Sequence, residues 1–209
     1  MSKSVHFDYW EKSKYGDPVE HYRTQNIPAK RNRTTRFYKY CNQKRKLQPG
    51  RILEIGCNSG RNLDLFYDKG WEVFGVDINK SSIDFCNKRF EKNNKNFVVH
   101  DIFNDQTYIN EFSDNFFDVC FSMGVLMHMP PAKEKTSLIN EMSRVSKNLF
   151  LYELFDHEQK NPNIKFLDYD SSSDEGNYVF SEDYRQYGHG LEIVNEMRQN
   201  RMMFFQGVK

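Results

Sequence analysis

From residue 51 onward, short apolar runs alternate with amphipathic stretches. Arg51-Ile52-Leu53-Glu54-Ile55 predicts a first strand that ends in the turn Gly56-Cys57-Asn58-Ser59-Gly60. Residues 62–69 predict a helix that buries Leu63, Leu65 and Phe66, and Gly70 stands where a left-handed residue would end it. Residues 72–76 predict the second strand, which runs into Asp77. Helix-starting residues follow at Asn79 to Ser82, and Ile83, Cys86 and Phe90 form an apolar stripe. Phe97-Val98-Val99 predicts the third strand, residues 116–121 the fourth, and residues 122–131 a loop. After Pro131, the helical spacing of Leu138, Ile139, Met142 and Val145 marks another buried face, and residues 148–154 predict the fifth strand. Strands and helices alternating in this way predict an α/β fold, a mostly parallel sheet with helices on both faces.

The flanks read differently. Residues 156–178 are polar and rich in Asp, Ser and Asn, which predicts a long loop or irregular insert. Ser181 is placed to cap a short helix ending near Gly188 or Gly190, and 191–197 with 201–207 predict a closing antiparallel pair. Residues 1–49 predict a helical cap over the ligand edge of the sheet, leaving 50–209 as the main domain.

Composition narrows the class. The 209 residues are 38% hydrophobic and 15% aromatic, enough for a packed interior. Their longest apolar runs fall far short of the roughly 20 residues that span a bilayer, so no membrane partner is expected. The first residues lack an apolar stretch of signal-peptide length, and Cys41, Cys57, Cys86 and Cys120 form no C-x-x-C pair. A cytoplasmic, reduced setting is expected, with no metal. The net charge of +1 is unevenly spread. Residues 21–50 hold nine Lys or Arg and no acid, whereas 151–183 hold nine acids against Lys160 and Lys165. The basic stretch is a solvated face, a partner of the acidic stretch, or a contact for phosphate on a substrate, nucleic acid or an anionic membrane surface.

The candidate chemistry falls at strand ends, where an open parallel sheet binds its ligands. Gly56 and Gly60 let the backbone turn sharply and approach a ligand closely. Asp77 lies 21 residues past Gly56, where a carboxylate can accept from both ribose hydroxyls or cap the next helix. Asp101-Ile102 suits adenine, with an acceptor for the exocyclic amine beside an aliphatic group that packs on the ring. The fourth strand delivers Ser122 and Met123, followed by the loop Leu126-Met127-His128-Met129.

An acid two residues before the first glycine, an Asp after strand two and an acidic–aliphatic pair after strand three resemble the class I S-adenosylmethionine-dependent methyltransferases. The similarity covers about residues 50–155 and extends to 177–209. It implies a Rossmann-like seven-stranded sheet and S-adenosylmethionine as co-substrate, with S-adenosylhomocysteine as product. It places Glu54, Gly56 and Gly60 at the methionine moiety, Asp77 at the ribose, and Asp101 with Ile102 at adenine, with Cys57, Asn58 and Ile78 also in the cofactor site. Ser122 and Met123 complete the implied cofactor site. One departure is Asn58, where the family has glycine, although Asn tolerates positive φ better than most residues. A nicotinamide-dependent enzyme is disfavoured, because the G-x-G-x-x-G spacing is absent and position 54 is charged.

Methyl transfer from a sulfonium depends chiefly on alignment and exclusion of water. His128 is the candidate general base if the acceptor arrives protonated, with an ordinary pKa near 6.5. Its alternative role is to brace the loop by hydrogen bonding. Tyr9, Trp10, Tyr22 and Glu153 are substrate-side candidates, although the aromatics suit packing of the N-terminal helices better. No Asn-Pro-Pro-Tyr-type loop follows strand four, and the loop that is present resembles small-molecule members. The runs Phe7-Asp8-Tyr9-Trp10 and Tyr15-Gly16-Asp17, with the Gly56–Leu63 segment, resemble methylases linked to bacterial surface-sugar biosynthesis over residues 7–65, which implies a sugar or nucleotide sugar as acceptor. Two other readings stay open: a nucleic-acid methyltransferase using residues 21–50, and an adenosyl-binding module without catalysis.

Overall fold

A computed structural model describes residues 17–25, 28–93, 95–155, 182–194 and 202–208. Their strands form one seven-stranded sheet with the order β3-β2-β1-β4-β5-β7-β6. Here β1 is Arg51–Ile55, β2 Glu72–Asp77, β3 Phe97–Val99, β4 Val119–Met123, β5 Asn148–Leu154, β6 Glu192–Ile193 and β7 Met202–Val208. The helices are α1 (Pro18–Gln25), α2 (Pro28–Lys39), α3 (Asp64–Asp68), α4 (Lys80–Arg89), α5 (Thr107–Asn110) and α6 (Lys133–Arg144). The chain divides into two compact units, residues 1–101 and 102–209.

In the first unit β1, β2 and β3 run parallel, with Leu53 opposite Phe74 and Val76 opposite Val98. The apolar side chains of β1 and β2 are buried, as expected for parallel strands covered on both faces. Helix α4 packs on β2 and β3 and turns Ile83 and Cys86 inward. Its N-cap is Asn79, whose side chain accepts from the Ser82 N–H at 3.0 Å. Two stacked rings, Phe90 and Phe97 with centroids 5.1 Å apart, close that side of the core. Helix α3 covers Asp64–Asp68, shorter than expected, because residues 61–63 form a turn. Leu63 and Phe66 are buried there and Leu65 only half so, and Gly70 takes the expected left-handed conformation with φ 86°.

In the second unit β4 and β5 are parallel, while β5 pairs antiparallel with β7 and β7 with β6. Every residue of β4 and β5 is buried. Leu138, Ile139, Met142 and Val145 of the α6 region are fully buried, so the expected face is the one that packs on β4 and β5. Strand β4 starts later than the pattern predicts. Phe117 makes one isolated bridge to Ser146, and Phe112, Phe116 and Phe117 gather at 4.8–5.1 Å instead of extending the strand. The short helix near residue 184 is a 3₁₀ turn, Tyr184–Tyr187. Its cap is Asp183, which accepts from the Arg185 N–H at 3.1 Å, and not Ser181, which lies outside the described residues with 156–180. The turn stops at Gly188, one of the two glycines expected to end it.

Candidate functional site

The chemistry of the first unit gathers at the carboxyl ends of β1 and β2. The N–H groups of Gly56 and Cys57 both donate to the Val76 carbonyl, at 2.8 and 3.1 Å, which folds the turn back on β2. Asn58 adopts φ 44°, so it occupies the left-handed conformation that glycine would otherwise supply. Gly60 is harder to replace. It has φ 70°, and an added Cβ would lie 2.5 Å from Phe90 Cε2 and 3.0 Å from Cys86 Sγ.

Asp77 ties this turn to the next helix. One carboxylate oxygen accepts from the Asn58 N–H at 2.8 Å and the other from the Asn79 N–H at 2.9 Å. Burial raises its pKa, and the backbone donors Asn79, Asn58 and Ile78 oppose the shift. Because Asn79 caps α4, Asp77 is not spent as the cap, and its oxygens keep further lone pairs. Ile78 is half-buried beside it. After β3, Asp101 is half-buried and Ile102 is buried.

Glu54 is the penultimate residue of β1 and is 1% exposed. Its Oε1 accepts from Asn62 Nδ2 at 2.6 Å, and Asn62 Oδ1 accepts from Thr34 Oγ1 at 2.9 Å. This relay fastens α2 to the turn. The second oxygen, Oε2, is buried without a hydrogen-bond partner. Burial pushes the Glu54 pKa up to about 8, against the opposing effects of the Asn62 bond and the Arg61 charge. The half-buried Arg61, next to Asn62, has no hydrogen bond or ion pair among the described residues. Burial and the like charge of Arg33 bring its pKa down to about 10, while Glu54 opposes the shift. Sequence reading missed Arg33, Arg61 and Asn62 as site residues, because nothing in their spacing reports that Thr34 and Asn62 meet.

Tyr22 of α1 is engaged within the protein. Its hydroxyl donates to Asp64 Oδ2 at 2.7 Å, and its ring lies 3.9 Å from the Arg89 guanidinium carbon. Tyr9 and Trp10 lie outside the described residues.

In the second unit, Glu153 is also the penultimate residue of its strand and is fully buried. It accepts from Ser122 Oγ at 2.7 Å, from the Val125 N–H at 3.1 Å and from the Met127 N–H at 3.1 Å. Burial raises its pKa, and these donors oppose the shift. The carboxylate therefore anchors the loop after β4. That loop contains the 3₁₀ turn Leu126–His128, so His128 is carried on an anchored turn, where it is 6% exposed. Ser122 and Met123 are the buried last residues of β4.

A second buried network, not anticipated, joins Lys135 to Glu182. Lys135 Nζ also donates to the Met129 carbonyl at 3.0 Å, and Tyr187 OH donates to Glu182 at 2.5 Å. The helical period held a signal for it, since Lys135 shares a face with Leu138, Ile139 and Met142. No group of three or more His, Cys, Asp or Glu side chains among the described residues is placed to hold a metal ion. None of the described helices is long and apolar enough to cross a membrane.

Residues 53–149, from within β1 to within β5, match the family model described as a methyltransferase domain. Set in the seven-stranded sheet, residues 53–149 therefore carry a methyltransferase domain. Among solved structures it is similar to the PH0226 protein from Pyrococcus horikoshii OT3, with a TM-score of 0.63, 17% identity and all of both chains covered. It is also similar to magnesium protoporphyrin IX methyltransferase (ChlM) from Synechocystis PCC 6803, crystallised with bound SAH. There the TM-score is 0.64 and the identity 14%, with 98% of each chain covered. Monomeric WbdD matches with a TM-score of 0.61 and 17% identity over 88% of this chain and 42% of its own, so this chain spans less than half of WbdD. At such identities these likenesses speak for the fold. A search of curated protein sequences finds no match.

Proposed function

We propose that the protein binds S-adenosylmethionine at the turn of residues 56–60 and transfers its methyl group to a small-molecule acceptor. The observation that carries this reading is the pairing of two incomplete groups. Glu54 has a buried oxygen without a partner, and Arg61, whose charge it feels, has no partner among the described residues. A buried acceptor left unsatisfied is costly, so a site with one calls for a ligand donor. The amino-acid end of the cofactor carries an ammonium for Glu54 and a carboxylate for Arg61 and Arg33.

The other roles follow along the strand ends. Asp77 accepts from the ribose hydroxyls beside Ile78, Asp101 accepts from the adenine amine, and Ile102 packs on the ring. Gly56, Cys57, Asn58 and Gly60 bring the backbone against the ligand, and Ser122 and Met123 complete the site. The bound cofactor supplies an electrophilic methyl on a sulfonium, which leaves as the neutral thioether of S-adenosylhomocysteine. The protein's part is to align the acceptor with that methyl and exclude water. His128 takes the acceptor's proton where a hydroxyl or ammonium must be activated. Glu153 serves by fixing the loop that carries His128. We assign residues 1–49 to acceptor recognition and 50–209 to methyl transfer, and a sugar or nucleotide sugar is the acceptor class we favour for O- or N-methylation.

Calorimetric titration with S-adenosylmethionine and S-adenosylhomocysteine tests the cofactor assignment. Micromolar binding is expected, weakened at least about tenfold in Asp77→Ala, the scale of a lost hydrogen-bonded charge contact. Folded wild-type protein that binds neither ligand would overturn it.

A further inference from the structure

Resting on the cofactor site proposed above, we infer that Arg89 is a positioning residue for the glycine turn and that Tyr22 of α1 holds it in place. Affinity for the adenosyl ligand then depends on a helix outside the binding contacts. Arg89 is the last residue of α4. Its Nη1 donates to the Ser59 carbonyl at 3.2 Å, inside the turn. On its other side the guanidinium pairs with Asp64 at the start of α3, and Nη2 donates to the Tyr22 hydroxyl at 3.0 Å. That hydroxyl in turn donates to Asp64, so Tyr22, Asp64 and Arg89 close a ring of charge-assisted bonds. The Arg89 and Asp64 side chains are 21% and 16% exposed, so solvent screens the pair only in part. The Tyr22 ring at 3.9 Å and the Phe90 ring at 4.8 Å bracket the guanidinium, and Phe85 lies 5.8 Å from the Tyr22 ring.

The Ser59 carbonyl matters because a peptide unit is planar. It shares its plane with the Gly60 N–H, which closes the turn on the Cys57 carbonyl at 2.9 Å. Arg89 and Cys57 therefore restrain one peptide unit from its two ends. Releasing Arg89 frees that unit to rotate about the glycine, where backbone resistance is lowest. Among the described residues, Tyr22 bonds to Arg89 and Asp64, and of these two Arg89 is the one that reaches the Ser59 carbonyl. A fork with fixed geometry suits this task, since one guanidinium edge reads the carbonyl while the other meets Tyr22 and Asp64. Helix α1 has eight residues, too few to be stable alone, so its side-chain contacts decide whether it is formed.

The test uses the full chain as wild type, Tyr22→Phe, Arg89→Lys and the double variant. Two readouts are taken: calorimetric affinity for S-adenosylhomocysteine, and amide hydrogen exchange of residues 56–60 without ligand. Tyr22→Phe keeps the ring and loses the hydroxyl, and is expected to weaken binding about threefold. Arg89→Lys is expected to weaken it about tenfold, with the double variant no weaker than Arg89→Lys alone. Exchange at residues 59–60 should accelerate in all three. Additive losses would overturn the relay. Unchanged exchange and affinity with only a lower melting temperature would reduce the cluster to packing. Wild-type protein that binds no S-adenosylhomocysteine would overturn the cofactor assignment and the affinity claim with it, while unchanged exchange alone would overturn the positioning of the turn.

Discussion

Two glutamates occupy equivalent places in their strands and meet opposite fates. Glu54 and Glu153 are each penultimate in a strand, and each is almost wholly buried. Glu153 is saturated by its own loop, with donors from Ser122, Val125 and Met127. Glu54 accepts once, from Asn62, and its other oxygen meets nothing. Burying a charge costs stability unless hydrogen bonds offset it. In the second unit the donors of the loop meet much of that cost within the protein, although burial still raises the Glu153 pKa. In the first unit the cost is not met in this way, which is why a ligand is expected there and a scaffold role at Glu153.

The largest expected effect is at Glu153. Glu153→Gln sets an amide NH₂ against backbone N–H groups that need an acceptor, and should destabilise the protein by about 2–4 kcal/mol in urea unfolding. A loss below about 1 kcal/mol would break the contrast. Gly60→Ala comes next. Its left-handed conformation and the 2.5 Å approach to Phe90 should cost about 2–3 kcal/mol by the same measurement, without altering Glu54 itself.

Glu54→Gln should invert the pattern. The Asn62 bond survives and no carboxylate has to be buried at high pH, so stability should hold at neutral pH and rise above about pH 8, while S-adenosylhomocysteine binds about tenfold more weakly. The pH dependence has a definite sign. Folding raises the Glu54 pKa from 4.5 to about 8, so its contribution to stability is full below 4.5 and is lost as pH rises through about 8. Ligand affinity should run the other way between pH 6 and 8, because the ammonium prefers the carboxylate. Glu54→Gln should remove both slopes, and a slope that persists would place the titration elsewhere. The smallest effect is at Arg61. Arg61→Met should weaken S-adenosylhomocysteine about fivefold and leave its decarboxylated analogue unaffected. Equal losses for the two ligands would remove the carboxylate contact.

Much of this was readable in one dimension. Strands β1 and β5 lie where the apolar runs put them, because a run bounded by polar turns has little freedom in a parallel sheet. The face of α6 and the left-handed Gly70 followed from helical period and glycine chemistry. Strand β4 did not, since the Phe116-Phe117 pair is hydrophobic for the sake of an aromatic cluster and not a strand. Hydrophobicity records burial, and it does not say against what.

The division at the site is similar. Local order along the chain determined that Glu54, the glycine turn, Asp77 and Asp101 fall at successive strand ends, because strand and turn formation are short-range events. Which carboxylate is satisfied was decided by tertiary structure alone. Thr34 reaches Asn62, Tyr22 reaches Arg89, and the β4 loop wraps Glu153, each across 26 or more residues of chain. Hydrogen bonds act over about 3 Å, and no residue pattern encodes that distance until the chain is folded.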